Sequence, residues 1–198
     1  MLVLGLTGSL AMGKTTVAGM FVLEGAAVFN ADRAVHDLYA AAAVAPVEAA
    51  FPGTTRDGTV DRALLGKTIA GNPAALAKLE AIVHPLVHAA EDAFRARAAA
   101  DNRRLIVLDI PLLLETGGEK RVDAVVVVSA APEIQRARIL GRAGMTEEVA
   151  ARLLARQMPD GEKRARAHFI IDTSGDFPAT RKQVADVVRA VAGMTAGP

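Results

Sequence analysis

The 198-residue chain contains no cysteine and no tryptophan. Without thiols, disulfide scaffolds, thiolate zinc sites and cysteine nucleophiles drop out together. The lack suits a reducing compartment without requiring one. One tyrosine and six phenylalanines bring aromatics to only 4%, too few for the stacking platforms of single-strand nucleic-acid binders. Neither sign of charge dominates. With 23 basic and 22 acidic side chains, the formal net charge of +1 is unlike that of a protein built to coat nucleic acid or an anionic membrane. No run approaches the ~20 apolar residues of a spanning helix. The opening Met1-Leu2-Val3-Leu4-Gly5-Leu6-Thr7 lacks the basic n-region and long apolar core of a secretory signal. The expectation is a cytoplasmic protein acting on small molecules, with no nucleic-acid or membrane partner, as a monomer or weak homo-oligomer.

What is present is apolar and ordered. Hydrophobic residues make up 52% of the chain, and a chain this long buries roughly 70% of its unfolded surface. Leu2 to Thr7, Leu105 to Asp109 and Ala124 to Val128 are apolar runs without polar alternation, the mark of strands buried on both faces. Ala26 to Phe29 and Phe169 to Asp172 read as two further strands, and helical patterns stand between them. Strands alternating with helices predict an α/β fold, a central parallel five-stranded sheet flanked by helices. The core comprises about 1–43, 101–131 and 167–198. About 44–100 reads as a helical insertion, with patterns at Asp61 to Ala70 and Pro73 to Arg97 and no evident strand. About 132–166 is a second helical excursion.

Gly8-Ser9-Leu10-Ala11-Met12-Gly13-Lys14-Thr15 matches G-x-x-x-x-G-K-[ST] between a predicted strand and a predicted helix. Such a loop wraps a polyphosphate with inward-pointing N–H groups, aided by the positive end of the following helix. Lys14 can reach the β- and γ-phosphates, and the Thr15 hydroxyl can ligate Mg²⁺. Asp109 ends an apolar strand and is a second candidate for the metal or substrate site; many buried strands also end in aspartate simply as a turn begins.

Phosphate loops serve kinases, switch GTPases and motor ATPases alike, so the acceptor side must decide. The chain has no Asn-Lys-x-Asp to read guanine, and Asp172-Thr173-Ser174-Gly175 comes too late in the chain for a switch. Asp32 follows the second strand, where a carboxylate can take the proton of an acceptor hydroxyl; it can equally cap a helix beginning at Arg33. Arg136, Arg138, Arg142, Arg152, Arg156, Arg164 and Arg166 crowd the second helical excursion. They suit a lid closing on transferred charge, or a solvated face paired with Glu133, Glu147, Glu148 and Glu162.

Taken together, these segments resemble the dephospho-CoA kinases. Leu6 to Thr16, Asn30-Ala31-Asp32, Asp57-Gly58 leading to Arg62 and Leu65, Leu79 to His84-Pro85, and Asp109 to Glu115 follow that family's blocks in order. Arg138, Arg142 and Gln157 fall where its lid pattern expects them. The resemblance implies a P-loop kinase fold with ATP-dependent phosphorylation of the ribose 3′-hydroxyl of dephospho-CoA, giving CoA and ADP with Mg²⁺. It makes the insertion the acceptor-binding part and the arginine-rich segment the lid. It carries nucleotide binding onto Gly8 to Thr16, that is Gly8, Ser9, Leu10, Ala11, Met12, Gly13, Lys14, Thr15 and Thr16. Catalytic roles fall on Asp32, Lys14, Arg138 and Arg142, acceptor contacts on Asp32, His84 and Asp109, and the metal on Thr15 and Asp109. Another nucleoside or sugar kinase and a regulatory nucleotide-binding module are the alternatives. The chain departs from the family pattern at Asn30, at Ala11-Met12 (usually Gly-Ser), at His168 and at Thr173. Alanine is tolerable at position 11 if its φ is negative, and Thr173 replaces an asparagine common just after the last strand, near the adenine.

Overall fold

Five apolar runs come together as a parallel sheet in the order β2-β5-β1-β6-β7. They are β1 (Leu2–Thr7), β2 (Ala27–Asn30), β5 (Leu105–Asp109), β6 (Ala124–Ser129) and β7 (Phe169–Asp172). Each lies within a residue or two of its expected bounds. The computed structural model describes residues 1–155 and 157–193; Arg156 lies outside them. Every residue of β1 and β6 is buried, which is why neither shows polar alternation. The register sets Leu6 beside Asp109 and beside Val126. The carboxyl end of β1 therefore opens between two neighbours, where parallel sheets bind ligands.

Two compact units divide the chain: residues 1–29 with 98–198, and residues 30–97. In the first, α1 (Lys14–Leu23) and α9 (Phe177–Ala192) lie against the sheet. Phe21, Leu4, Leu6, Val126, Ile171 and Val184 share one core cluster. Beyond β6 the chain forms α6 (Pro132–Leu140), α7 (Glu147–Leu154) and α8 (Asp160–Ala165). Pro132 opens α6 in the first turn, where the missing N–H costs nothing. The last strand ends at a side-chain clasp. Asp172 donates its N–H to Gln183 Oε1 and accepts from Gln183 Nε2 at its carbonyl, both at 2.8 Å. His168, one of the departures from the family pattern, accepts at Nδ1 from the Val125 N–H at 3.1 Å.

The second unit has its own core of Val47, Phe51, Leu65, Leu79 and Val83. Its helices are α2 (Ala31–Leu38), α3 (Val44–Ala50), α4 (Arg62–Ile69) and most of α5 (Pro73–Ala100). Val35, Leu38 and Tyr39 pack against that cluster, so α2 belongs with it. The expectation of no strand in this stretch is corrected by a small antiparallel hairpin, β3 (Thr55–Arg56) with β4 (Thr59–Val60). Asp57 and Gly58 turn it with φ of 49° and 73°, the pair of positive angles that tight hairpins need. Strands of two residues carry no period to read. Pro85 sits inside α5 without ending it.

Candidate active site

The chain turns sharply after Thr7. A Cβ on Gly8 would sit 2.6 Å from the Val128 carbonyl oxygen, so only glycine fits there. Met12 N–H donates to the Ser9 carbonyl at 3.2 Å, closing the bend. Ala11 and Gly13 then take φ of 62° and 88°. Left-handed residues set among right-handed ones turn successive N–H groups to one side, making an anion-binding concavity. The condition of a negative φ at Ala11 is not met: the loop takes a left-handed residue there, and alanine accepts it under strain. Ser9 Oγ is buried with no hydrogen-bond partner among the described residues.

Lys14 opens α1 directly behind this concavity, and its Nζ forms an ion pair with Asp109 Oδ1. Asp109 is fully buried at the carboxyl end of β5, and Lys14 is partly buried. The motif and the strand-end aspartate, found separately in the sequence, thus meet. Thr15 and Thr16 are exposed on the first turn of α1. At the end of β1, Thr7 Oγ1 donates to the Pro111 carbonyl at 2.9 Å, and Lys163 Nζ reaches the same oxygen at 3.4 Å. Lys163 is wholly buried against Glu115, with Nζ 2.8 Å from Oε1. Burial pushes the Glu115 carboxyl up. The Lys163 ammonium and the Met158 N–H pull it down further, and the net is a value below the usual 4.5.

Arg138 lies on α6 and spends two donors on Thr173. Nη1 reaches the hydroxyl at 2.9 Å and Nη2 the carbonyl at 2.7 Å. Arg142 is exposed one turn later. Arg136 pairs with Glu147 and Arg166 with Glu119, while Arg164 Nη1 donates to Ser129 Oγ at 3.3 Å. Gln157 meets the loop itself, accepting from the Leu10 N–H at 2.9 Å. Gln135, which no sequence motif marks, donates to the Leu10 carbonyl at 2.8 Å. Lys163 is likewise unmarked in the sequence. Gln135 stands three residues before Arg138 on α6, and that spacing was the available signal.

Asp32 and His84 belong to the second unit and are both exposed, on the first turn of α2 and midway along α5. The reading of Asp32 as a helix cap is corrected. The cap is Asn30, whose Oδ1 accepts from the Arg33 N–H at 2.8 Å. Asp32 is left to other work.

A lysine-bearing loop at the end of a central parallel strand, with a buried aspartate paired to the lysine, defines the class: a phosphate-loop nucleotide-binding protein. The family model described as dephospho-CoA kinase matches residues 2–179, and the chain belongs to that family. It is similar to the dephospho-CoA kinase of Brucella melitensis, 54% identical over 196 residues, 99% of this chain and 98% of the relative. The dephospho-CoA kinase of Agrobacterium fabrum is 56% identical over 96% of this chain and 97% of its own. A crystal structure from Thermus thermophilus superposes with a TM-score of 0.86 at 29% identity, covering 96% of each chain. The dephospho-CoA kinase from Campylobacter jejuni shares the fold, with a TM-score of 0.65 at 23% identity over 96% of each chain. The activity that membership carries is ATP-dependent phosphorylation of dephospho-CoA in coenzyme A biosynthesis.

Proposed function

We propose that the chain moves the γ-phosphoryl group of ATP to the ribose 3′-hydroxyl of dephospho-CoA, releasing CoA and ADP. The family match over residues 2–179 carries this reading, because it spans the phosphate loop and the helical unit of residues 30–97 together. In the reaction the 3′-oxygen bonds to phosphorus, and the bond from phosphorus to the β–γ bridging oxygen breaks. Asp32 takes the proton leaving the hydroxyl. Lys14 and the inward N–H groups of the loop hold the β- and γ-phosphate oxygens while charge develops on the leaving ADP. Arg138 and Arg142 add positive charge from the arginine-rich segment, which acts as the lid. Residues 30–97 bind the acceptor, with His84 on that side. We read the reaction as cytoplasmic, a reading that the family's part in coenzyme A biosynthesis supports.

Mg²⁺ fits the donor set. Thr15 offers a hydroxyl and Asp109 a carboxylate, both hard oxygen ligands. Among the described residues no three His, Asp or Glu side chains gather into a cage, and Mg²⁺ is commonly held by one or two protein oxygens plus substrate phosphates. Thr15 and Asp109 would hold it, and the ion would neutralise charge across the β- and γ-oxygens.

The test is chromatography of dephospho-CoA incubated with the purified protein, ATP and Mg²⁺, repeated with Asp32→Asn. Stoichiometric CoA and ADP are expected. The variant should lose about 10²–10⁴-fold in kcat with little change in ATP affinity, the range for removal of a general base. ADP without CoA overturns the acceptor assignment, and near-native turnover by Asp32→Asn overturns the base.

A further inference from the structure

The middle of the phosphate loop is held by three side chains from outside it. Gln157 accepts from the Leu10 N–H at 2.9 Å, and Gln135 donates to the Leu10 carbonyl at 2.8 Å. The Thr173 hydroxyl donates to the Met12 carbonyl at 2.8 Å. Thr173 is itself gripped by both terminal nitrogens of Arg138. Gln135 and Arg138 stand three apart on α6, so one face of that helix serves the loop twice.

These contacts bracket one residue. Ala11 lies between Leu10 and Met12, and its φ of 62° is a conformation that an L-residue adopts unwillingly. Such an angle persists only where the surroundings over-determine it. Here both polar groups of Leu10 and the carbonyl of Met12 are taken by side chains that glycine-like freedom at Ala11 would not need.

We propose that Gln135, Gln157 and Thr173 are positioning residues for the nucleotide phosphates. They fix the peptide units on either side of Ala11 so that the loop N–H groups stay aimed at the anion. Through them the shape of the loop is tied to α6 and to the segment between α7 and α8. None of the three has to touch the nucleotide. The proposal rests on ATP being the ligand of this loop.

The test is ATP binding by calorimetry and steady-state kinetics for Gln135→Leu, Gln157→Leu and Thr173→Val, each alone and each combined with Ala11→Gly. One hydrogen bond is worth a factor of about 3–10 at room temperature. Each single variant should therefore weaken ATP binding, and raise KM for ATP, about 3–10-fold, with KM for dephospho-CoA unmoved. Glycine takes positive φ without support, so the same substitution should cost less in the Ala11→Gly background. Thr173→Ser keeps the hydroxyl and should bind ATP as the wild type does; with Thr173→Val it carries the test if a glutamine variant fails to fold. Variants that lose thermal stability but keep ATP affinity would show a purely architectural role and overturn the proposal. So would equal penalties in the two backgrounds. Absence of ATP binding by the wild type would instead overturn the functional reading beneath it.

Discussion

At Ala11 the cost of a single backbone angle can be set against its use. A left-handed conformation costs an L-residue roughly 1–2 kcal/mol, while glycine loses more freedom on folding by roughly 0.5–1 kcal/mol. Ala11→Gly should therefore stabilise the fold by about 0.5–1 kcal/mol. For a chain of this size that raises Tm by about 1–4 °C, measurable by thermal denaturation; a fall in Tm would mean the strain is not there. Residues whose chemistry follows from a spacing were readable in advance. Lys14 and Asp109 were named from the loop motif and from a strand end, and the structure joins them. The angle at Ala11 was not readable, because an L-residue takes a positive φ only where its neighbours impose it. Gln135 was hidden for a related reason: its partner is a backbone carbonyl, which every residue offers and no motif records.

Among the elements, α8 is fastened by the pair of Glu115 with the fully buried Lys163. Desolvation alone would raise the Glu115 carboxyl, but hydrogen bonds from Lys163 and the Met158 N–H bring its net value below 4.5. A carboxyl whose folded value lies below its unfolded one stabilises the protein fully above the unfolded value, and loses that contribution as pH falls through the folded one. The wild type should accordingly lose Tm below about pH 4.5. Glu115→Gln should start lower at neutral pH, because Lys163 then keeps its charge without a counter-ion, and should be flatter across the acid range. Melting curves from about pH 3 to about pH 7 check both; parallel curves for the two proteins would remove Glu115 from the acid transition. Strands at this scale were visible because β1, β5 and β6 are buried on both faces and so uninterrupted by polar residues. The β3–β4 hairpin was missed despite its Asp-Gly turn, since two residues a side leave no alternation. The burial of Lys163 was missed because a lysine on a six-residue helix reads as solvated.

For the molecule as a whole, binding and stability are linked. A ligand present at about 100 times its Kd stabilises the folded state by about 2.7 kcal/mol, so ATP with Mg²⁺ should raise Tm by roughly 5–10 °C. Lys14→Ala should abolish most of that shift, and should itself lower Tm without nucleotide because it removes the counter-ion of the buried Asp109 carboxylate; a persistent shift would put the nucleotide elsewhere. The family could be read from five short blocks spread from Leu6 to Glu115, because each serves chemistry that tolerates few residue types. The division at residues 30 and 97 could not, since it depends on which core Val35, Leu38 and Tyr39 choose. The sheet also has an outer rim. β7 ends the strand order, and a bare outermost strand can recruit another chain into an unlimited stack. Gln183 presents one amide to Asp172 with a donor and an acceptor both at 2.8 Å, imitating the rung that a sixth strand would supply. A single glutamine thus terminates the sheet at that rung, and replacing it with a short apolar side chain would leave a sticky end where concentrated protein begins to clump.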